Sequence, residues 1–157
     1  MEYDANIIVK FRKLWVYYLV QSALATGVLA ILFLVLGENR MILISAIGST
    51  AFIVFAMPKT SSAQPKIVIG SHLIGLLSGA AFAFASLPHF VEYPVAVGIA
   101  IFLMVALDIE HPPPAAGTAI ATVTYGNSLD IWLAVISSIL FLSFARYLLR
   151  NHLKNLV

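Results

Sequence analysis

Leu14-Trp-Val-Tyr-Tyr-Leu-Val-Gln-Ser-Ala-Leu-Ala-Thr-Gly-Val-Leu-Ala-Ile-Leu-Phe-Leu-Val-Leu36 runs for 23 residues without a charge. A helix that crosses a bilayer needs about 20 predominantly apolar residues, so this stretch reads as a spanning helix. The pattern repeats outward from it. No Asp, Glu, Lys or Arg falls in Leu14–Gly37, Met41–Pro58, Ile67–Val91, Tyr93–Leu107, His111–Leu129 or Ile131–Ala145. Hydrophobic residues make up 61% of the chain and charged residues 10%, against roughly a quarter charged in a soluble domain. Such a chain cannot cover its own surface in water. The fold class is all-α: a polytopic transmembrane helix bundle, with residues 1–157 as a single transmembrane domain in contact with the lipid bilayer.

The apolar run after Lys10, Arg12 and Lys13 is longer than the roughly 7–15 residues of a signal-peptide core. Leu14–Leu36 is therefore expected to be a retained first helix, and Glu2 and Asp4 argue against an organellar transit peptide. The chain has no cysteine, which excludes disulfides, thiol chemistry and Cys-ligated zinc. A net charge of +2 is too small to imply nucleic acid.

Basic residues concentrate in cytoplasmic loops. Here they fall in the N-terminal tail, at Lys59 and Lys66, and at Arg146, Arg150 and Lys154 near the C-terminus. Placing both termini and the Lys59–Lys66 connection in the cytoplasm satisfies all of them except Arg40. With both ends on one side, the number of crossings is even. Four full spans are expected near 14–36, 41–57, 67–87 and 129–149. The region 93–125 then forms a short broken-helix pair around Asp108–Pro114, with arms of roughly 22 and 16 Å. It is either two short crossings or a re-entrant hairpin. The two halves share a pattern, an apolar helix ending at a polar, proline-flanked break; paired breaks of that kind point to transporter binding sites.

The breaks carry the chemistry. In His111-Pro-Pro-Pro114, proline suits the first turn of a helix because it lacks an N–H and has a fixed φ. His111, Pro112 and Pro113 would stop one helix and start the next. Backbone N–H groups near Ala115–Thr118 would then face an anion, with Gly117 allowing close approach and Thr118, Thr122 and Tyr125 on one face. The alternative is a stiff turn. At the first break, Ser61 and Ser62 are candidate caps for a helix near Pro65, and Lys59 and Lys66 either draw an anion to the mouth or simply mark a positive-inside loop. His72 lies in an apolar helix, where an ionisable side chain usually faces the bundle interior; it contacts a permeating ion or braces a neighbouring helix. Beside it, Ser71, Gly75, Gly79 and Ala83 form a small-residue stripe for close packing, against a helix of this chain or of another copy. A chain this small is expected to form a homo-oligomer.

Met57-Pro-Lys-Thr-Ser-Ser-Ala-Gln-Pro-Lys66, Val68-Ile-Gly-Ser-His-Leu73 and Glu110-His-Pro-Pro-Pro-Ala-Ala-Gly-Thr-Ala119 together resemble the HPP family of integral membrane proteins. The chain departs from common family versions at Ile67, at Gly70-Ser71 and at Pro114–Thr118. The activity best attached to that family is nitrite transport in chloroplasts and cyanobacteria. The resemblance implies transport of nitrite or a similar small monovalent anion between the helix starts at 61–66 and 111–118, in a bacterial or cyanobacterial inner membrane. It implies no enzyme activity, no cofactor and no metal. Two other functions compete. One is a non-transporting scaffold or sensor. The other is an intramembrane metalloenzyme using Asp108, Glu110, His111 and His72, whose spacing matches no zincin pattern.

Overall fold

The computed structural model describes residues 2–85 and 87–157, with the side chains of 2–6 and 112–114 outside the description. Among the described residues, six α-helices form the bundle: α1 Glu2–Leu36, α2 Met41–Ala56, α3 Pro65–Phe82, α4 His89–Ala106, α5 Pro112–Tyr125 and α6 Leu129–Leu149. All but α5 contain a segment long and apolar enough to cross a membrane. At 35 residues, α1 is roughly 52 Å long and outreaches a hydrocarbon core of about 30 Å. Its first turns, with Lys10, Arg12 and Lys13, therefore extend beyond that core.

Contacts at the two ends of the bundle fix the direction of each helix. At one end, Arg40 pairs with Asp130 at the start of α6 (2.7 Å) and lies over the Tyr125 ring at the end of α5. The Tyr125 hydroxyl accepts from the Ile42 amide of α2, and Thr124 donates to Tyr93 of α4 at 3.2 Å. At the other end, Ser62 donates to the Glu110 carbonyl at 2.9 Å, so the two breaks adjoin. Arg146 near the end of α6 donates to the Pro58 carbonyl there, at 2.7 Å. Arg40, which lacks a place in a simple basic-side rule, is thus matched by a carboxylate from a distant helix. Helix α4 is long and apolar enough to be a fifth candidate span beside the four expected ones, while α5 is not, and the apex between them reaches the break end.

The α4 arm is longer than the expected one. Helix α4 begins at His89 and runs through Pro94, so the turn stops at Pro88. Pro94, the sixth residue of α4, forfeits the bond to the Phe90 carbonyl, and Glu92 secures the start by accepting from the Leu87 amide and pairing with His89. At its far end, Ile109 N–H bonds to Met104 O and Asp108 N–H to Val105 O. Asp108 adopts φ 54°. This is a Schellman closure, and Asp is among the few non-glycine residues that tolerate the left-handed region. It folds Ile109 back against Gly70 of α3 and sends the chain inward to His111.

Two apolar clusters hold the helices. The larger joins Leu43, Ile47, Val54 and Phe55 of α2 to Leu76 of α3 and to Ile131, Val135, Ile139 and Leu142 of α6. The smaller is built from Ala96, Ala100 and Met104 of α4, Ala115 and Ala119 of α5, and Ile74 of α3. Lipid tails are as apolar as leucine, so close van der Waals fit is what favours helix contact in a membrane. The alanines supply that fit. The glycine stripe completes it within the chain: an added Cβ on Gly79 would lie 2.5 Å from the Ala119 carbonyl oxygen, and one on Gly75 would overlap that of Ala115. Equal steps along both helices show α3 and α5 running parallel. The stripe's partner is therefore α5, and no second copy is needed to explain it.

Gln21 is a polar residue in the middle of α1 that is 2% exposed. Its amide donates to the Phe55 carbonyl and to Lys154 O, and it accepts from Lys154 N–H. Leu156 N–H caps Ala56 O at 2.9 Å. The C-terminal tail thereby covers carbonyls that end α2, which have no partner within the helix. Gln21→Ala should cost roughly 2 kcal/mol through the unsatisfied groups it leaves. Thermal unfolding in detergent should fall, and trypsin should cut at Arg150 faster. Unchanged cleavage would show that other contacts hold the tail.

Candidate functional site

Where the two breaks meet, three polar side chains from three elements converge, and none has exposed surface: Thr50 of α2, His72 of α3 and His111 at the cap of α5. Thr50 and His72 each lie about two turns from the break end of their helices. The Schellman turn carries His111 in to reach them. Thr50 Oγ1 is 3.1 Å from His72 Nε2 and 3.3 Å from His111 Nε2, and the ring centroids are 5.4 Å apart.

Proton bookkeeping gives this cluster a direction. The Val68 carbonyl can only accept, so His72 Nδ1, at 2.9 Å, donates to it. In a neutral His72 ring, Nε2 then accepts. Thr50 has a single hydroxyl proton and also lies 3.2 Å from the Ala46 carbonyl; both histidine contacts are hydrogen bonds only if that proton goes to His72. Thr50 Oγ1 is also within hydrogen-bond reach of His111 Nε2. The other ring nitrogen of His111, Nδ1, is buried, and the backbone of Ser62 is near enough to act on the ring.

The start of α5 differs from the expectation. Pro112, Pro113 and Pro114 occupy its first three positions and have no N–H, while Ala115 N–H bonds to the His111 carbonyl at 3.3 Å. The side chains of Pro112 and Pro113 lie outside the described residues. No free backbone donors are therefore available to cradle an anion there. The tri-proline start has another consequence: a helix begins inside the bundle without leaving unsatisfied donors in an apolar setting. Any donor to a ligand has to come from a side chain.

The other predicted residues divide. Gly117 faces Ala46, where an added Cβ would come within 2.9 Å, so its smallness serves α2–α5 contact. Thr118 and Thr122 are buried against the α3 glycines, and Thr122 donates to the Thr118 carbonyl of its own helix. They do not line an open polar path. Ser61 and Ser62 sit in a 3₁₀ turn, and Gln64 is the cap position of α3, without a side-chain cap bond. Ser61 and Lys66 line a cleft of about 270 Å³ with Gln64, Ile67, Asp108 and Glu110. Lys59 is exposed. The expected cationic mouth is thus a mixed-charge one, because the fold brings the α4–α5 apex and its two carboxylates beside Lys66. Among the described residues, no group of three or more His, Asp or Glu is placed to hold a metal; Asp108 and Glu110 stand in the cleft while the histidines lie buried behind it.

Sequence reasoning missed Thr50. Its only signal was a hydroxyl in the apolar run Met41–Ala56, which ordinarily bonds its own helix carbonyl.

No curated protein and no solved structure matches the chain. The family model described as "HPP, transmembrane region" matches residues 9–155, nearly the whole chain, including both breaks, and the chain is therefore an integral membrane protein of the HPP family.

Proposed function

We propose that this chain transports a small monovalent anion, nitrite foremost, and that the anion binds at the buried His111–Thr50–His72 cluster. The observation that carries the reading is the cluster itself. Ionisable side chains are costly within a membrane and mark substrate or ion pathways when present, and here two of them are joined by hydrogen bonds where two helix breaks meet. The family resemblance supplies nitrite. In this reading His111 and His72 replace the ion's water without a fixed charge that would trap it. Complete burial of the cluster favours a carrier that opens to each side in turn over a permanently open channel.

The same proposal places the break end in the cytoplasm. Eight of the nine basic residues, all but Arg40, lie at or near that end, as the bias of cytoplasmic loops requires. Both termini then face the cytoplasm of a bacterial or cyanobacterial inner membrane. Assembly as a homo-oligomer stays part of the proposal on the grounds of chain size.

Nitrite uptake into proteoliposomes tests this directly. Uptake should exceed that of empty vesicles and be competed by unlabelled nitrite more strongly than by chloride. Correctly inserted protein with no uptake above empty vesicles would overturn the reading.

A further inference from the structure

Beside α1 the bundle is incomplete. Helix α1 packs along α2 and, among the described residues, has no comparable contact with α6. The gap between α1 and α6 is a groove, with Ile31, Val35 and Phe141 exposed on its rim. The part nearer the membrane middle, about 210 Å³, is walled by Val28, Leu32 and Phe141. The outer part, about 520 Å³, ends at Arg40 and Asp130. Val35 and Ser137 line both, so the two parts are continuous. Ser137 and Ser138 each donate their hydroxyl to the Ala134 carbonyl of their own helix, which leaves the wall apolar. From Leu36 to Val28 the groove descends roughly 12 Å along α1, most of one leaflet of a core about 30 Å thick.

The head of the groove carries both signs of charge. Arg40 and Asp130 pair at 2.7 Å, with side chains 27% and 60% exposed, so each keeps surface for a further partner. Arg40 lies over the Tyr125 ring, and Trp132 donates to Asn127 nearby. Tyr and Trp gather where membrane meets water, which puts the ion pair at headgroup level. A phosphate can take the remaining N–H groups of the guanidinium, while an ammonium on the same headgroup donates to the carboxylate. A headgroup of negative charge alone meets Asp130 as a like charge, and a choline has no N–H to donate. A second copy of the chain is a poorer match. A helix with its side chains is about 10–12 Å across, too wide for the inner groove, and it would seal the ion pair without bringing charges to meet it.

We propose that the α1–α6 groove binds a phospholipid with a zwitterionic, primary-ammonium headgroup of the phosphoethanolamine type. Its phosphate sits on Arg40, its ammonium on Asp130 and one acyl chain in the groove. The lipid occupies the leaflet opposite the breaks and supplies the contact between α1 and α6 that the chain leaves open. The site lies at the other end of the bundle from the histidine cluster and stands apart from the transport reading.

Native mass spectrometry of the full chain in a mild detergent tests this, by titration with phosphatidylethanolamine, phosphatidylcholine and phosphatidylglycerol of identical acyl chains. The first phosphatidylethanolamine should bind at least about threefold more tightly than either other lipid, the gain expected of a partly exposed charge pair. Asp130→Asn should bring phosphatidylethanolamine and phosphatidylcholine to within about twofold of each other. Ser137→Phe fills the groove without touching the ion pair, and should weaken all three by about threefold or more through lost contact with the acyl chain. Equal affinities in the unmodified protein, or tighter binding of phosphatidylglycerol, would overturn the proposal. Lipid binding unchanged by Ser137→Phe, with a dimer lost instead, would give the groove to a second copy and overturn it too. Should Asp130→Asn fail to fold, the headgroup order in the unmodified protein and the Ser137→Phe result decide the matter between them.

Discussion

Gly79→Val should separate α3 from α5 and leave little folded protein. A Cβ at this position meets the Ala119 carbonyl oxygen at 2.5 Å and the Thr122 Cβ at 2.6 Å. Overpacking a core usually costs about 1–3 kcal/mol. Here the obstacle is helix backbone, which cannot turn aside, so the cost should be at the top of that range or above it. Gly75→Val should behave alike, as it opposes the Ala115 carbonyl. The controls are internal. Gly27 and Gly98 have nothing within 4 Å of an added Cβ, and alanine there should be neutral or add up to about 1 kcal/mol through helix propensity. Size-exclusion profiles and thermal unfolding in detergent decide the matter. Tolerance of Gly79→Val would mean that α3 and α5 do not approach as described.

The second large effect is on transport. His72→Leu and His111→Leu should each reduce nitrite flux at least tenfold, the change that about 1.4 kcal/mol of lost stabilisation produces. Leucine keeps the bulk of the ring and removes both nitrogens, which takes one histidine partner from the Thr50 hydroxyl. A stability loss of roughly 1–3 kcal/mol should accompany this, so flux is to be normalised to folded, inserted protein. Lys59→Ala is the contrast. Its side chain is exposed and its charge is screened by water and salt, so flux should change less than about twofold. Loss of flux on removing Lys59 but not His72 would move the binding site to the surface.

Much of this was legible in the residues. Charge-free stretches near 20 residues mark spanning helices, whose backbone groups find their partners within the segment, and α1, α2, α3 and α6 follow from that. His72 and His111 were also legible as candidate residues, one as an ionisable residue in an apolar helix and the other at a proline break. Their direct neighbourhood was not. It depends on the Asp108 turn, where a positive φ and two backbone bonds steer the chain inward, and such geometry has no periodic trace in the sequence. Thr50 was hidden for a related reason, because a threonine that bonds its own helix and one that bridges two histidines are written identically. The tri-proline start was read as an anion cradle because proline commonly opens helices; three in a row remove the very N–H groups a cradle needs. The start of α4 was placed at 93 and lies at His89, where Glu92 makes a helix start stable. Gln21 went unremarked because its partners are main-chain groups more than 30 residues away.

The measurement that bears most directly on the central claim, that His72 and His111 act as one buried site, is a double-variant cycle read out as nitrite flux. Residues that function as a unit are non-additive. Flux through His72→Leu, His111→Leu and the double variant should therefore agree within about twofold, all far below that of the unmodified protein. Losses that multiply in the double variant, or flux that survives both substitutions, would contradict a shared site.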